Sequence, residues 1–495
     1  MSLQELLIQG LQLHQADQYP QAEAVLGQVV RTDPSNTDAW VLLAETCLLQ
    51  GKFAEADAAY RCALRLRPLR AFDYVNHGVA LLKRGLWDEA VASLRYAQNL
   101  EPRDFNVLNT LGVALKDQGN LDESVACLLQ ATRLAPGFAD AFNNLGVALM
   151  SLGRHDEAGR SLQEALRLRP DFAEGHKTLG MVLLQQGDYA NGWREYEWRL
   201  ACPDCAPPSF DQPRWDGGPL QGRTILLYPE QGLGDTLQFI RYAPLLKERG
   251  GRVVVLCQAN LIPLLFRCPG IDELVPYGTL PRFDVHSSLV SLPGLFGTTL
   301  DTVPAQVPYL FPDAALVAQW GRDLGARTGI RVGIVWQGRL THPNDRERST
   351  RLVFFAPLAR LPGVHLISLQ KEPGSEQLGE VTEQFAVIDL GSQLDETSGA
   401  FMDTAAVMQC LDLVITVDTS AAHLAGALGV PVWVAQACAP DWRWQWDAES
   451  TPWYPTMRFF RQAERGKWEA AFERIAAALQ ARLAQPSGRH RGSDE

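Results

Sequence analysis

The apolar run LVITV leads into Asp418, Thr419 and Ser420 and then into a helix of small residues, AAHLAGALG. Such a turn presents backbone N–H groups and two hydroxyls at the positive end of a helix, which suits a phosphate group. The same residues also serve as a plain helix N-cap, so residue types alone leave both roles open. His423 follows one helical turn later and fits a core position as well as a ligand contact. A second turn, TILLYPEQGLGD, ends in Gly232, Gly234 and Asp235. Asp235 is either a carboxylate that partial desolvation makes more basic, or a cap of the next helix. The strand GIVW brings up Gln337 and Arg339, and Arg346, Arg348 and Arg351 crowd the following loop. Guanidinium forks match phosphate oxygens, a solvated basic loop being the alternative. Lys371, after LISLQ, is a further candidate cation.

Several chemistries are excluded. The first glycine loop lacks the third glycine of G-x-G-x-x-G, and the next strand ends in Cys257 and Gln258 rather than an acid, so a nicotinamide dinucleotide is a poor fit. No G-x₄-G-K-S/T occurs. Cys202 and Cys205 form a lone C-x-x-C without a second ligand pair, read as two linker thiols. No D-x-D is present, so neither a metal nor another cofactor is expected.

The elements that must carry these residues fall into two kinds. Pro34, Pro68, Pro102, Pro136 and Pro170 keep a period of 34 residues. Gly10, Ala44, Gly78, Gly112, Gly146 and Gly180 keep the same period, as do Ala22, Ala56, Ala90, Ser124, Ala158 and Gly192. Small residues at fixed places allow close helix approach, Gly51, Gly85, Gly119, Gly153 and Gly187 break each helix pair, and proline ends the second helix. The pattern is best seen in Trp40, Leu43, Ala44, Gly51, Phe53, Ala56, Tyr60, Ala63 and Pro68, and resembles the tetratricopeptide repeat. It covers about residues 3–200 as six units. The proline- and glycine-rich segment 201–222 reads as a linker or a short capping segment. Beyond it, short apolar strands alternate with helical stretches in two sets, 223–315 and 330–482, which indicates parallel sheets with a cleft between them. Residues 483–495 read as a disordered tail.

The segments G-L-G-D, V-W-Q-G-R, S-L-Q-K and T-V-D-T-S-A-A-H-L-A-G-A-L-G-V-P-V occur in that order. Together they resemble the heptosyltransferase-like glycosyltransferases of family 9 and, more distantly, the C-terminal domains of O-linked N-acetylglucosamine transferases. The resemblance implies an all-α superhelix followed by a two-Rossmann, GT-B type glycosyltransferase domain. It implies an inverting, metal-independent transfer of a sugar from a nucleotide-sugar donor to a protein recruited by the repeats. Asp235 would be the base and Arg348 the cation that neutralises the leaving diphosphate. Gly232, Gly234, Gln337, Arg339, Lys371, Asp418, Thr419, Ser420 and His423 would contact the donor. By the same resemblance Asn76 and Asn144 belong to an asparagine ladder on the concave wall that holds the acceptor. Leu42, Thr110 and Thr178 stand at equivalent positions, so an ordinary polar wall is the alternative. The tryptophans from Trp442 to Trp453 are either a sugar wall or core. The rival reading is a repeat scaffold whose second half binds nucleotide or partners without turnover.

Composition sets outer limits. The chain has 495 residues, 46% apolar and 21% charged, which fits two or three ordinary globular cores. Its net charge of −12 gives no overall case for nucleic acid or an anionic membrane. Nine cysteines, mostly inside apolar runs, and the lack of a visible signal peptide lead us to expect a cytoplasmic protein without a membrane span.

Overall fold

The structure is a computed structural model that describes residues 1–484 apart from 231, 326, 327 and 343. The expected tail lies, from residue 485 onward, outside the described residues; 483 and 484 close the last helix, Glu469–Ala484. Two compact units divide the chain, Met1–Val182 and Leu183–Glu495.

The first unit is built from α1 (Leu3–Gln15), α2 (Tyr19–Thr32), α3 (Thr37–Leu49), α4 (Phe53–Leu66), α5 (Ala71–Lys83) and α6 (Trp87–Leu100). It continues with α7 (Phe105–Gln118), α8 (Leu121–Leu134), α9 (Ala139–Ser151), α10 (His155–Leu168) and the start of α11 (Ala173–Gln185). Each pair is antiparallel, and successive pairs stack on one another. The periodic glycine marks the tightest approach. At Gly78, Gly112 and Gly146 an added Cβ would meet Leu94, Leu128 and Leu162 Cγ at 2.6, 2.5 and 2.6 Å. Those leucines are fully buried, so glycine is what lets the two helices of a repeat touch. Local caps set the helix starts: Asn36 accepts from the Ala39 N–H, and the Asp104 carboxylate from those of Asn106 and Val107.

The second unit begins before the sheets. Helix α12 (Tyr189–Tyr196) occupies the second-helix place of the sixth repeat, but its aromatic residues pack into this unit. Trp453 Nε1 donates to the Tyr189 hydroxyl at 3.0 Å, and Trp193 Nε1 to the Thr298 carbonyl at 3.0 Å. The segment 201–222 is likewise packed: Cys202, Trp215 and Leu220 are buried, and the Trp215 N–H bonds the His286 carbonyl at 2.8 Å. Its apolar residues thus pack against the first sheet.

That sheet holds β1 (Thr224–Tyr228), β2 (Arg252–Cys257), β3 (Glu273–Pro276) and β4 (Val285–Ser288), in the order β3-β2-β1-β4 and all parallel. The second sheet holds β5 (Ile330–Val335), β6 (Val364–Ser368), β7 (Ile388–Asp389), β8 (Leu413–Val417), β9 (Val432–Gln436), β10 (Ser450–Thr451) and β11 (Tyr454–Arg461). Its order is β10-β11-β9-β8-β5-β6-β7, with only β10 antiparallel to its neighbour. β1, β2, β5 and β8 are mainly buried runs of Val, Ile and Leu, as sheets covered on both faces require. The chain order reverses between β1 and β4 and between β5 and β8, so crevices open at the carboxyl ends of those strands.

Candidate functional site

The β1 turn leads into α13 (Leu233–Phe239), with Asp235 in its first turn. No side chain caps this helix, so the cap reading of Asp235 does not describe its role. Gly232 is exposed, whereas a Cβ on Gly234 would lie 3.0 Å from His423 Cδ2, so glycine is needed where α13 crosses the helix Ser420–Ala427. Asp235 itself is buried and ion-paired with Arg443, which follows β9. Arg443 also bonds Asp441 at 2.7 Å and lies over the Trp442 ring at 4.3 Å. Burial pushes the Asp235 carboxyl up and Arg443 opposes it. For Arg443 burial is outweighed by the two carboxylates, which hold it charged.

Glu230, just before this turn, is fixed from behind. Both its oxygens receive Arg199, at 2.8 and 2.6 Å, and Ser288 donates to it as well. Arg199 also reaches Ser291 at 2.8 Å. The residues after α12 thus hold the base of the glycine loop.

On the second sheet, the ends of β5 and β6 are tied by Gln370. Its Oε1 accepts the N–H groups of Trp336 and Gln337, each at 3.0 Å, and its Nε2 donates to the Gln337, Lys371 and Pro373 carbonyls. Arg348 folds over Gly338 and, among the described residues, has one long pairing, with Asp345 at 3.4 Å. Arg339 is exposed. Thr419 is the N-cap residue of Ser420–Ala427, yet its side chain makes no capping bond, and its hydroxyl lies 3.3 Å from that of Thr416. Asp418 accepts from Trp444 Nε1 at 2.9 Å, and burial, reinforced by Asp441, pushes its carboxyl up to about 6.

Three of the residues expected to contact the donor have partners within the protein. His423 is buried, bonded through Nδ1 to the Tyr454 hydroxyl at 3.1 Å and stacked on Trp444. Burial, with Arg443, Arg241 and Arg348 nearby, pushes it well below the usual histidine range. The Gln337 amide turns to Gln377 at 3.0 Å and fills the space beside Gly374. Lys371 bonds the Leu394 carbonyl at 2.5 Å and Glu396 at 3.1 Å, because the loop after β7 offers acceptors. Trp442, Trp444 and Trp453 are core residues. Among the described residues no group of His, Cys, Asp or Glu is arranged to hold a metal, and no helix is long and apolar enough to cross a membrane.

In the first unit, Asn144 Nδ2 donates to Asn109 Oδ1 of the preceding repeat at 2.9 Å, and Asn76 is half-buried. At the equivalent places the Thr110 and Thr178 hydroxyls turn back to the Asn106 and Glu174 carbonyls, at 2.8 Å each. The ladder is therefore interrupted. Family models described as tetratricopeptide repeat match residues 13–65 and 109–171. The N-terminal region consists of tetratricopeptide repeats.

Over 317 residues the chain is 28% identical to Protein FlbA of Caulobacter vibrioides, which covers 58% of this chain and 52% of that protein. The chain thus spans about half the length of this curated relative. Similar solved structures include YrrB, a TPR protein with an unusual peptide-binding site, at 24% identity and a TM-score of 0.32 over 34% of this chain and 88% of that one. PilW, a type IV pilus biogenesis factor, is 21% identical with a TM-score of 0.36 over 41% and 94%. A thermophilic TPR protein of Thermus thermophilus is 23% identical with a TM-score of 0.31 over 37% and 100%.

The residue paired with Asp235 that sequence reading did not single out is Arg443. The available signal was a lone charge among tryptophans, P-D-W-R-W, where an apolar or aromatic residue would pack more cheaply. Gln370 and Arg199 gave no signal of their own, because their partners are backbone groups or distant residues.

Proposed function

We propose that the second unit is a GT-B type, two-Rossmann glycosyltransferase and that the tetratricopeptide repeats recruit its protein acceptor. The observation that supports this reading is the meeting of two strand-end turns inside the second unit. One carries Gly232, Gly234 and Asp235, the other Asp418, Thr419 and Ser420, and they touch where Gly234 packs on His423. Crevices at strand carboxyl ends are where open parallel sheets take ligands. The uncapped start of Ser420–Ala427, with Arg348 beside it, is suited to the diphosphate of a nucleotide sugar.

In this reading an acceptor hydroxyl attacks the anomeric carbon on the face opposite the nucleotide. The carbon–oxygen bond to the diphosphate breaks, its negative charge is taken up by Arg348 and the helix start, and the hydroxyl proton passes to Asp235. Arg339, at the rim, is a donor contact of lesser weight. Asn144 and Asn76 belong to the acceptor path only in part, given the interruption at Thr110 and Thr178.

One observation favours the rival reading of a binding scaffold: Asp235 is already neutralised by Arg443. The discriminating experiment is incubation of the full chain with a panel of UDP-, ADP- and CMP-sugars, reading nucleotide release and transfer to lysate protein. Asp235→Asn is expected to lower turnover by roughly 10²–10⁴-fold. Donor binding without hydrolysis or transfer across the panel would establish the scaffold instead.

A further inference from the structure

We propose that the Asp235–Arg443 ion pair is a latch: an entering phosphate or diphosphate takes the Arg443 guanidinium and thereby frees the Asp235 carboxylate. The inference rests on the nucleotide-sugar reading of this cleft and adds an order to it, donor before proton transfer.

Three features carry it. Arg443 is only 9% exposed, and its two terminal nitrogens are occupied by Asp235 and Asp441 while its buried Nε has no partner among the described residues. A guanidinium has five N–H donors, and a buried one left without an acceptor marks a group built for an additional oxygen. Second, the cleft offers that oxygen company. Arg348 is held by one long contact, the start of Ser420–Ala427 is uncapped, and both Arg348 and Arg443 are close enough to act on Asp418 and His342. Third, the competing ligands of Arg443 are themselves carboxylates. An incoming phosphate therefore replaces one anion by another on the same fork, and the buried Asp235 left without its counter-ion is driven to take up a proton.

The exchange has a chemical consequence. While paired, Asp235 has the rise that burial gives its carboxyl opposed by Arg443, which favours its charged form. Once Arg443 turns to the phosphate, Asp235 loses its counter-ion and gains a nearby anion, and both changes raise its affinity for a proton. Donor binding thus prepares the base, and by linkage the charge on Asp235 must weaken anion binding by the same factor.

The test is calorimetric titration of the full chain with inorganic pyrophosphate, with folding checked by tryptophan fluorescence. Arg443→Gln is expected to weaken pyrophosphate about 10-fold or more. Asp235→Asn is expected to tighten it about 5-fold or more, because the competitor is gone. The double variant should bind like Arg443→Gln, without the tightening. Asp441→Asn removes the other competitor from a half-exposed position and should also tighten binding, which keeps the test decisive if Asp235→Asn fails to fold. Unchanged binding in Arg443→Gln, or no tightening in the folded aspartate variants, overturns the latch while leaving the transferase reading intact. The expected pattern without transfer from any sugar donor supports the latch and removes the transferase reading. No pyrophosphate binding by the parent chain removes both.

Discussion

Replacing Arg199 by methionine removes one charge from a pair enclosed on both sides, since the Arg199 and Glu230 side chains are 1% and 2% exposed. Arg199 gives Glu230 two bonds and also serves Ser291, Glu197 and the Tyr196 carbonyl. After the substitution Glu230 keeps the Ser288 hydroxyl alone, while Glu197 still has Arg214. A buried charge that loses its partner costs about 3–5 kcal/mol, and the exposed end of the network adds little. The variant should therefore lose about 3–5 kcal/mol, almost all of it from Glu230. Urea unfolding followed by tryptophan fluorescence isolates the effect, because of thirteen tryptophans only Trp40 and Trp87 precede Leu183. Glu230→Gln alone should also be costly, but the double variant Arg199→Met, Glu230→Gln buries no lone charge. It should be less destabilised than the sum of the singles by 1 kcal/mol or more, roughly the coupling expected of residues in one network. A loss below about 1 kcal/mol for Arg199→Met, or strict additivity in the cycle, would refute the enclosed-pair argument.

Three further outcomes follow from the geometry. Gly146→Ala places a methyl 2.6 Å from Leu162 Cγ and should cost about 1–3 kcal/mol in thermal melts read by helical circular dichroism. Gln370→Ala strips five backbone groups at the ends of β5 and β6 of their partner and should cost at least about 2 kcal/mol in the fluorescence transition. Asp418 titrates near 6 when folded and near 4 when unfolded, so the folded state binds its proton more tightly and stability falls as pH rises from about 4 to 6. The loss is at most about 3 kcal/mol. Asp418→Asn keeps an acceptor for Trp444 and cannot ionise, so its stability relative to the parent should improve between pH 4.5 and 7.5, as measured by urea midpoints; no change would count against the shifted carboxyl.

The 34-residue period, the proline that ends each second helix and the glycine at each close approach are visible in the chain because a repeat contacts only its neighbours. Gly146 meets Leu162 sixteen positions later, and the same offset recurs at Gly78 and Gly112, so local spacing carries the packing rule. The parallel strands are legible for a similar reason: LVITV and RVVVLC are mainly apolar, as strands between two helical layers must be. The turns at Asp235 and at Asp418 were also legible, as glycine or hydroxyl residues directly after such strands.

What these side chains bond to was decided by tertiary structure. Arg443 reaches Asp235 across 208 residues of chain, and Trp453 reaches Tyr189 across 264, distances over which no periodicity operates. Whether His423 and the tryptophans line a cleft or fill a core depends on which helix crosses theirs, and α13 fills that place at Gly234. Likewise α12 keeps the close approach of the repeat, Gly192 against Leu184, while Tyr189 and Trp193 pack on Trp453 and Trp442 far along the chain. Residue type sets what a group can do, and burial against distant neighbours sets which of those things it does.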